Sequence, residues 1–163
     1  MKQLLIVRHA KSSWDISALN DFERPLNERG HADAPIMAQR ILAKKVSIDL
    51  FVSSTAKRAL TTASYFASAF DSSNNDILKI DELYHAAVPT FYKIIATLNN
   101  QFNTVTIFSH NPGITEFINE LTAIKLDNMP TCGVFAIAID TDNWKFFASS
   151  QKEFLFFDYP KAI

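Results

Sequence analysis

Short apolar runs alternate along this chain with stretches of helical period, and that alternation restricts the fold more than any other feature. Gln3 to Val7, Asp49 to Val52 and Thr104 to Phe108 are of strand length, and the first is a continuous apolar run of the kind found in strands buried on both faces. Asn27 to Lys45 reads as a helix capped by Asn27, with Glu28 in its first turn and an apolar face of Ile36, Met37, Ile41 and Leu42. Pro35 inside it predicts a kink or a late start. Ser53-Ser54-Thr55 reads as a capping cluster for a helix reaching about Phe70.

After a polar loop over Asp71 to Asp76, Ile77 to Ile80 reads as a short strand, and Pro89 to Asn100 and Gly113 to Ala123 as helices. Val134 to Ile139, Trp144 to Ala148 and Phe154 to Phe157 look like three β segments, with Asp140 to Asn143 a hairpin turn between the first two. The fold expected is α/β, a single three-layer domain over residues 1–163. Its central sheet is mostly parallel, with helices on both faces and an antiparallel edge. In such sheets ligands bind at the carboxyl ends of the strands.

Composition removes several functions. Only three of 163 residues are glycine, where ~7% is usual. No segment can therefore form a glycine-rich phosphate cradle or a dinucleotide fingerprint, and any phosphate must be held by side chains. Sixteen basic and seventeen acidic residues give a net charge of −1, with no run of like charge longer than the Lys44-Lys45 pair. A nucleic-acid partner would call for a basic stripe, so none is expected. The run Leu4 to Val7 is too short for a signal-peptide core or a membrane span, so no membrane partner and a cytoplasmic location are expected. The lone Cys132, which can form no internal disulfide, agrees with that compartment. No Cys/His or carboxylate cluster has metal-ligand spacing, and neither metal nor cofactor is expected. A monomer is the expected state.

The carboxyl ends of the three clearest strands carry Arg8-His9, Ser53-Ser54 and Ser109-His110-Asn111, and Arg58 follows in the first turn of the next helix. Either histidine alone is commonplace. Together, a histidine pair with arginines suits phosphoryl transfer through nitrogen: a neutral imidazole attacks phosphorus while arginines neutralise the phosphoryl oxygens. Arginine fits because its planar fork binds such oxygens bidentately and stays charged.

These residues sit in recognisable blocks. Leu5-Ile6-Val7-Arg8-His9-Ala10-Lys11-Ser12-Ser13-Trp14 resembles the signature of the histidine phosphatase (phosphoglycerate-mutase-like) superfamily and is particularly similar to its small SixA-type phosphohistidine phosphatases. The resemblance continues through Arg24 to Gly30, Ser53 to Ala59 with Thr62, Glu82-Leu83-Tyr84, Ser109 to Gly113 and Pro130 to Gly133. It spans residues 4 to about 135. It implies that His9 is the nucleophile, that Arg8, Arg58 and His110 bind the transferring phosphoryl group, and that Arg24 lines the same pocket. His110 would donate to a phosphoryl oxygen, which needs a protonated ring or a suitably oriented tautomer.

Two positions depart from the family pattern. Ala10 replaces a usual glycine, which is tolerable if the backbone there avoids positive φ. His85 stands where relatives that cleave phosphate esters carry a general-acid glutamate. Such donors contribute ~100- to 10,000-fold. A phosphoramidate can leave without one, because its imidazole leaving group is itself protonatable, so phosphohistidine on a signalling or phosphotransfer protein is the expected substrate. His85, and more weakly Glu82, are candidate proton donors. A small-molecule phosphomonoesterase acting on a sugar phosphate or nucleotide is the alternative, and a non-catalytic phosphate-binding module is a third. Lys11 and Ser12 follow the nucleophile and are candidates for substrate contact, whereas Trp14 could wall the pocket or simply pack. His31 reads as solvated, and Cys132 lacks the downstream arginine of a cysteine phosphatase, since position 138 is alanine.

Overall fold

The computed structural model describes residues 1–14 and 20–162. At its centre is strand β1 (Lys2–Arg8), in which Leu4, Leu5, Ile6 and Val7 are wholly buried. Its alternating side chains feed two cores, because successive residues of a strand face opposite ways. Leu4 and Ile6 enter the core beneath α3 (Val88–Ala96) and α4 (Gly113–Ile118), where Phe91 stacks on Phe117 at 4.8 Å between centroids. Leu5 and Val7 enter the core beneath α1 (Glu28–Ala43) and α2 (Lys57–Ala69). Burying one large apolar side chain stabilises by about 1.5–3 kcal/mol, so both faces of β1 hold the layers together.

Among the described residues, six strands form one sheet in the order β3-β2-β4-β1-β5-β6. β2 (Leu50–Ser53), β3 (Leu78–Lys79) and β4 (Thr104–Ser109) run parallel to β1, while β5 (Val134–Ile139) and then β6 (Lys152–Asp158) add an antiparallel edge. Parallel register sets Arg8 opposite Ser109 and Ser53 opposite Phe108. Three carboxyl ends thus finish at one level, and the residues that follow them share one crevice.

Several local expectations change. Asn27 does cap α1, its side chain accepting from the Gly30 amide, and the helix runs through Pro35 without ending. Its buried face is Ala34, Met37, Ala38 and Ile41, with Ile36 and Leu42 exposed. The run Ser53 to Thr55 does not cap α2: Ala56 stands at the N-cap and makes no side-chain cap bond. Its hydroxyls are used elsewhere, Thr55 on Asp81 and Ser53 on the Ser54 carbonyl. Trp144 to Ala148 is no strand either. A short 3-10 turn over Trp144–Phe146 buries the indole, whose Nε1 donates to the Phe102 carbonyl at 2.8 Å, so β5 pairs directly with β6. Burial of one indole with a satisfied N–H outweighs β propensity there. The later helices are shorter than their apolar patterns suggest, ending at Ala96 and Ile118.

Two glycines mark close backbone approaches next to the crevice. A Cβ on Gly30 would lie 2.1 Å from the Lys11 carbonyl oxygen, and one on Gly113 would lie 2.0 Å from that of Ala86. Neither position can hold a side chain without moving the loop that follows His9 or the one that follows His85. Gly113→Ala is expected to destabilise by about 1–3 kcal/mol, as overpacked sites do; urea unfolding measures this, and an unchanged midpoint would contradict the contact.

Candidate active site

The crevice at the ends of β1, β2 and β4 contains a cavity of about 240 Å³ lined by Arg8, His9, Arg24, Arg58 and His110, with Lys11, Ser12, Trp14, Asp21 and His85 also reaching it. All four residues expected to carry the chemistry are therefore together. Arg8, at the end of β1, gives Nη1 to the Met129 carbonyl at 2.8 Å. Ala10 is fully buried and is not among the residues of positive φ, so the missing glycine costs nothing there. Its amide donates to Thr62 Oγ1 at 3.0 Å, and the Thr62 hydroxyl donates to the Arg58 carbonyl at 2.8 Å. One threonine thus ties the loop behind His9 to the helix that carries Arg58.

His9 is fixed by its neighbours in one tautomer. Its Nδ1 lies 2.7 Å from the Ala10 carbonyl, which can only accept, so the ring proton sits on Nδ1. Nε2 keeps its lone pair, which accepts from Arg58 Nε at 3.4 Å. Burial, with the charges of Arg58, Arg8 and Arg24 assisting and the Ala10 bond opposing, pulls the imidazole down to about 3. At neutral pH His9 is an uncharged imidazole inside a ring of cations.

His110 is held differently. Its Nε2 is 2.7 Å from Ser54 Oγ, and the same oxygen accepts from the Ala56 amide at 3.2 Å. With the amide on one lone pair, the assignment that also satisfies the Ser54 hydroxyl hydrogen donates it to Nε2. The His110 proton then sits on Nδ1. Among the described residues, His110 Nδ1 and Arg8 Nε are buried polar atoms with no hydrogen-bond partner in the protein. Burial chiefly, with the neighbouring His9 and Arg58, pushes His110 down to about 2, so it is a neutral donor. In this tautomer an uncharged ring can donate from Nδ1 without first being protonated.

Sequence reasoning missed Asp21. It lies in a 3-10 turn (Asp21–Glu23), with Oδ1 2.9 Å from Arg24 Nη1 and Oδ2 2.9 Å from Arg58 Nη2. Tyr84 donates its hydroxyl to Oδ2 at 2.6 Å. Burial works to raise this carboxyl, but the bonds from Tyr84, Arg24 and Arg58 and the Arg58 charge outweigh it and hold it well below the usual carboxylate range. The available signal was an acidic residue three positions before Arg24 in a polar segment, a spacing that pairs charges within one turn.

The remaining candidates separate. Ser12 is buried and its hydroxyl accepts from Arg24, whereas Lys11 is exposed at the rim. Trp14 lies with its ring 3.2 Å from the Arg24 guanidinium, so it walls the cavity through a cation–π contact while staying largely exposed. His85 adopts positive φ, packs on Tyr84 and stands 3.6 Å from Asp21 Oδ2 at the mouth. Glu82 is outside the cavity, paired on the surface with Lys93. His31, exposed, meets the Tyr65 hydroxyl at 2.8 Å, and Cys132 is buried with its thiol pushed up, chiefly by burial. Among the described residues no group of three or more His, Cys, Asp or Glu is placed to hold a metal ion, and no helix is long and apolar enough to cross a membrane.

Comparison with known proteins gives the following. Residues 4–84 match the model of the histidine phosphatase superfamily (branch 1). An uncharacterised chloroplast protein of Arabidopsis thaliana is 27% identical over 159 residues, covering 88% of this chain and 69% of its own. A structure from Agrobacterium tumefaciens, of a protein provisionally identified as the phosphohistidine phosphatase SixA, is 28% identical with a TM-score of 0.83 over 98% of each chain. The protein histidine phosphatase SixA complexed with tungstate is 22% identical, with a TM-score of 0.81 over 97% of each chain.

Both rings are expected to stay neutral from pH 8 to 5 and to show the Nδ1–H tautomer in nitrogen-resolved NMR. A His110 proton on Nε2 would contradict the role given to Ser54. Linkage gives a second readout. Unfolded imidazoles bind protons below about 6.5 that the folded rings refuse, so stability falls as pH drops from there toward 3. The slope is about 1.4 kcal/mol per pH unit for each ring protonated only when unfolded.

Proposed function

The chain belongs to the histidine phosphatase superfamily, and from that premise we propose that it removes phosphate from phosphohistidine on a protein through a covalent intermediate at His9. The observation that carries the reading is a lone pair on His9 Nε2 facing Arg58, in a cavity whose buried donors Arg8 Nε and His110 Nδ1 have no partner in the protein. Buried polar atoms are ordinarily satisfied, so such donors suit phosphoryl oxygens. Arg8, Arg58 and His110 bind those oxygens, and Arg24 walls the pocket. A tungstate ion, as bound by one structural relative, is a suitable mimic for this chain.

His9 Nε2 donates its lone pair to phosphorus as the bond to the leaving nitrogen breaks. That electron pair goes to the departing imidazole, which carries its own proton. The phosphorylated ring keeps Nδ1–H on the Ala10 carbonyl, which stabilises its positive charge. Water then attacks phosphorus, the P–N pair returns to Nε2, and one water proton leaves with phosphate while the other passes to solvent. Each donor aimed at developing charge in such a site is worth roughly 10²–10³ in rate.

Substrate choice follows from the groups at the cavity. Asp21 is held ionised and cannot protonate an alkoxide, and Glu82 faces away toward Lys93. The mouth is bordered by exposed side chains, Trp14 and His85, which leaves it accessible to a loop of a partner protein. A small-molecule phosphomonoesterase is the competing reading, and the place of the His85 imidazole at the mouth, 3.6 Å from Asp21 Oδ2, favours it, since a side chain at that position is a candidate proton donor to an alkoxide.

Labelled substrate is expected to leave an acid-labile phosphoryl group on the wild type and none on His9→Ala. Turnover of a phosphohistidine protein should exceed that of alkyl phosphate esters by tenfold or more. A consistent preference for one ester would make the chain a phosphomonoesterase. Binding of tungstate with hydrolysis of neither substrate would make it a phosphate-binding module.

A further inference from the structure

Asp21 is the point on which the cationic side of the cavity converges. Arg58 Nη2 and Tyr84 Oη donate to its Oδ2, Arg24 Nη1 donates to its Oδ1, and Arg58 Nη1 donates to its backbone carbonyl. Which guanidinium atoms are used matters. A guanidinium has an end edge formed by Nη1 and Nη2, and a side edge formed by Nε and the Nη2 hydrogen pointing the same way. Asp21 takes the end edge of Arg58 with two acceptors, one carboxylate and one carbonyl. The side edge is thereby turned to His9, with Nε 3.4 Å from Nε2.

Arg24 is fixed by the same carboxylate. Its Nε donates to the Ser13 carbonyl at 3.0 Å, its Nη2 to Ser12 Oγ, and Trp14 covers its face. Asp21 thus couples two arginines from different segments, one from the turn before α1 and one from α2, and sets the distance between them. Tyr84 braces the carboxylate from the far side, where its ring meets Phe22 edge-on at 5.1 Å between centroids.

We infer that Asp21 is the positioning residue of this site: it grips the far edge of Arg58 and the near end of Arg24 so that the side edge of Arg58, turned to His9, meets the phosphoryl group as it transfers to that ring. This rests on the preceding reading that Arg58 takes phosphoryl oxygens. Asp21 touches neither nucleophile nor phosphorus and acts through the arginines. Its charge opposes anion binding, so its benefit lies in the transition state, where an aimed donor counts for more than one additional positive charge.

The test uses p-nitrophenyl phosphate, whose leaving group needs no proton donor, so the outcome does not depend on the substrate class. Tungstate serves as the competing anion. Asp21→Asn is expected to lower kcat at least tenfold without tightening tungstate inhibition. Asp21→Glu, which keeps the charge but lengthens the arm by a methylene, is expected to lose a similar factor; retention of activity there would overturn positioning in favour of a charge effect.

In the Arg58→Lys background, which has a cation but no fork, Asp21→Asn is expected to cost less than about twofold. Losses that multiply in the double variant would overturn the inference. So would an Asp21→Asn protein that keeps its kcat and binds tungstate tenfold more tightly, since Asp21 would then be a competitor for the arginines. A wild-type protein that neither turns over the ester nor binds tungstate would instead sink the reading of the site itself, and this inference with it.

Discussion

The parallel ladder between β1 and β4 is the interaction on which the site depends. Its register, Arg8 opposite Ser109, delivers His9 and His110 side by side, with ring centroids 5.1 Å apart. A slip of one residue would turn each side chain of β1 to the opposite face. Both faces of β1 are committed to apolar cores, with Leu4 and Ile6 in one and Leu5 and Val7 in the other. The packing that stabilises the domain therefore also fixes which atoms meet at the crevice.

Burial then decides the chemistry of those atoms. Imidazoles removed from water and placed among arginines lose their proton, and both histidines stay neutral at physiological pH. Neutrality alone would leave the positions of their protons open. The Ala10 carbonyl settles the proton of His9, and the Ser54 hydroxyl, already accepting from the Ala56 amide, settles that of His110. One ring presents a lone pair at Nε2 and the other a hydrogen at Nδ1 through backbone groups and a serine rather than through any difference in residue type. Asp21 balances the opposite side, where Arg24 and Arg58 would otherwise face each other without a shared anion.

Much of this was legible in the chain. Continuous apolar runs identified the central strands, and the residues just past them identified Arg8, His9 and His110, because a strand end in a parallel sheet is a place as well as a sequence position. Arg58 and Arg24 came with recognisable blocks. Less was legible where one residue serves a distant contact. The Ser53 to Thr55 run has the composition of a helix cap, yet its hydroxyls bond the Ser54 carbonyl, His110 and Asp81. Trp144 has strand propensity but closes a turn over the carbonyl of Phe102. Ile36 and Leu42 suit an apolar stripe by type, yet α1 buries its smaller alanines because α2 approaches closely.

The sequence by itself determined the alternation of elements, the absence of a backbone phosphate cradle and the set of histidines and arginines at the strand ends. These follow from local periodicity and composition, which neighbouring residues carry among themselves. Only the tertiary structure decided that Asp21 would sit between two arginines, that Ser54 would meet His110, and that Glu82 would turn away to Lys93. Those outcomes depend on where separate segments come to rest against the sheet. The reach of a side chain is a few ångströms, and only the packed layers bring residues 21, 58 and 84 within it.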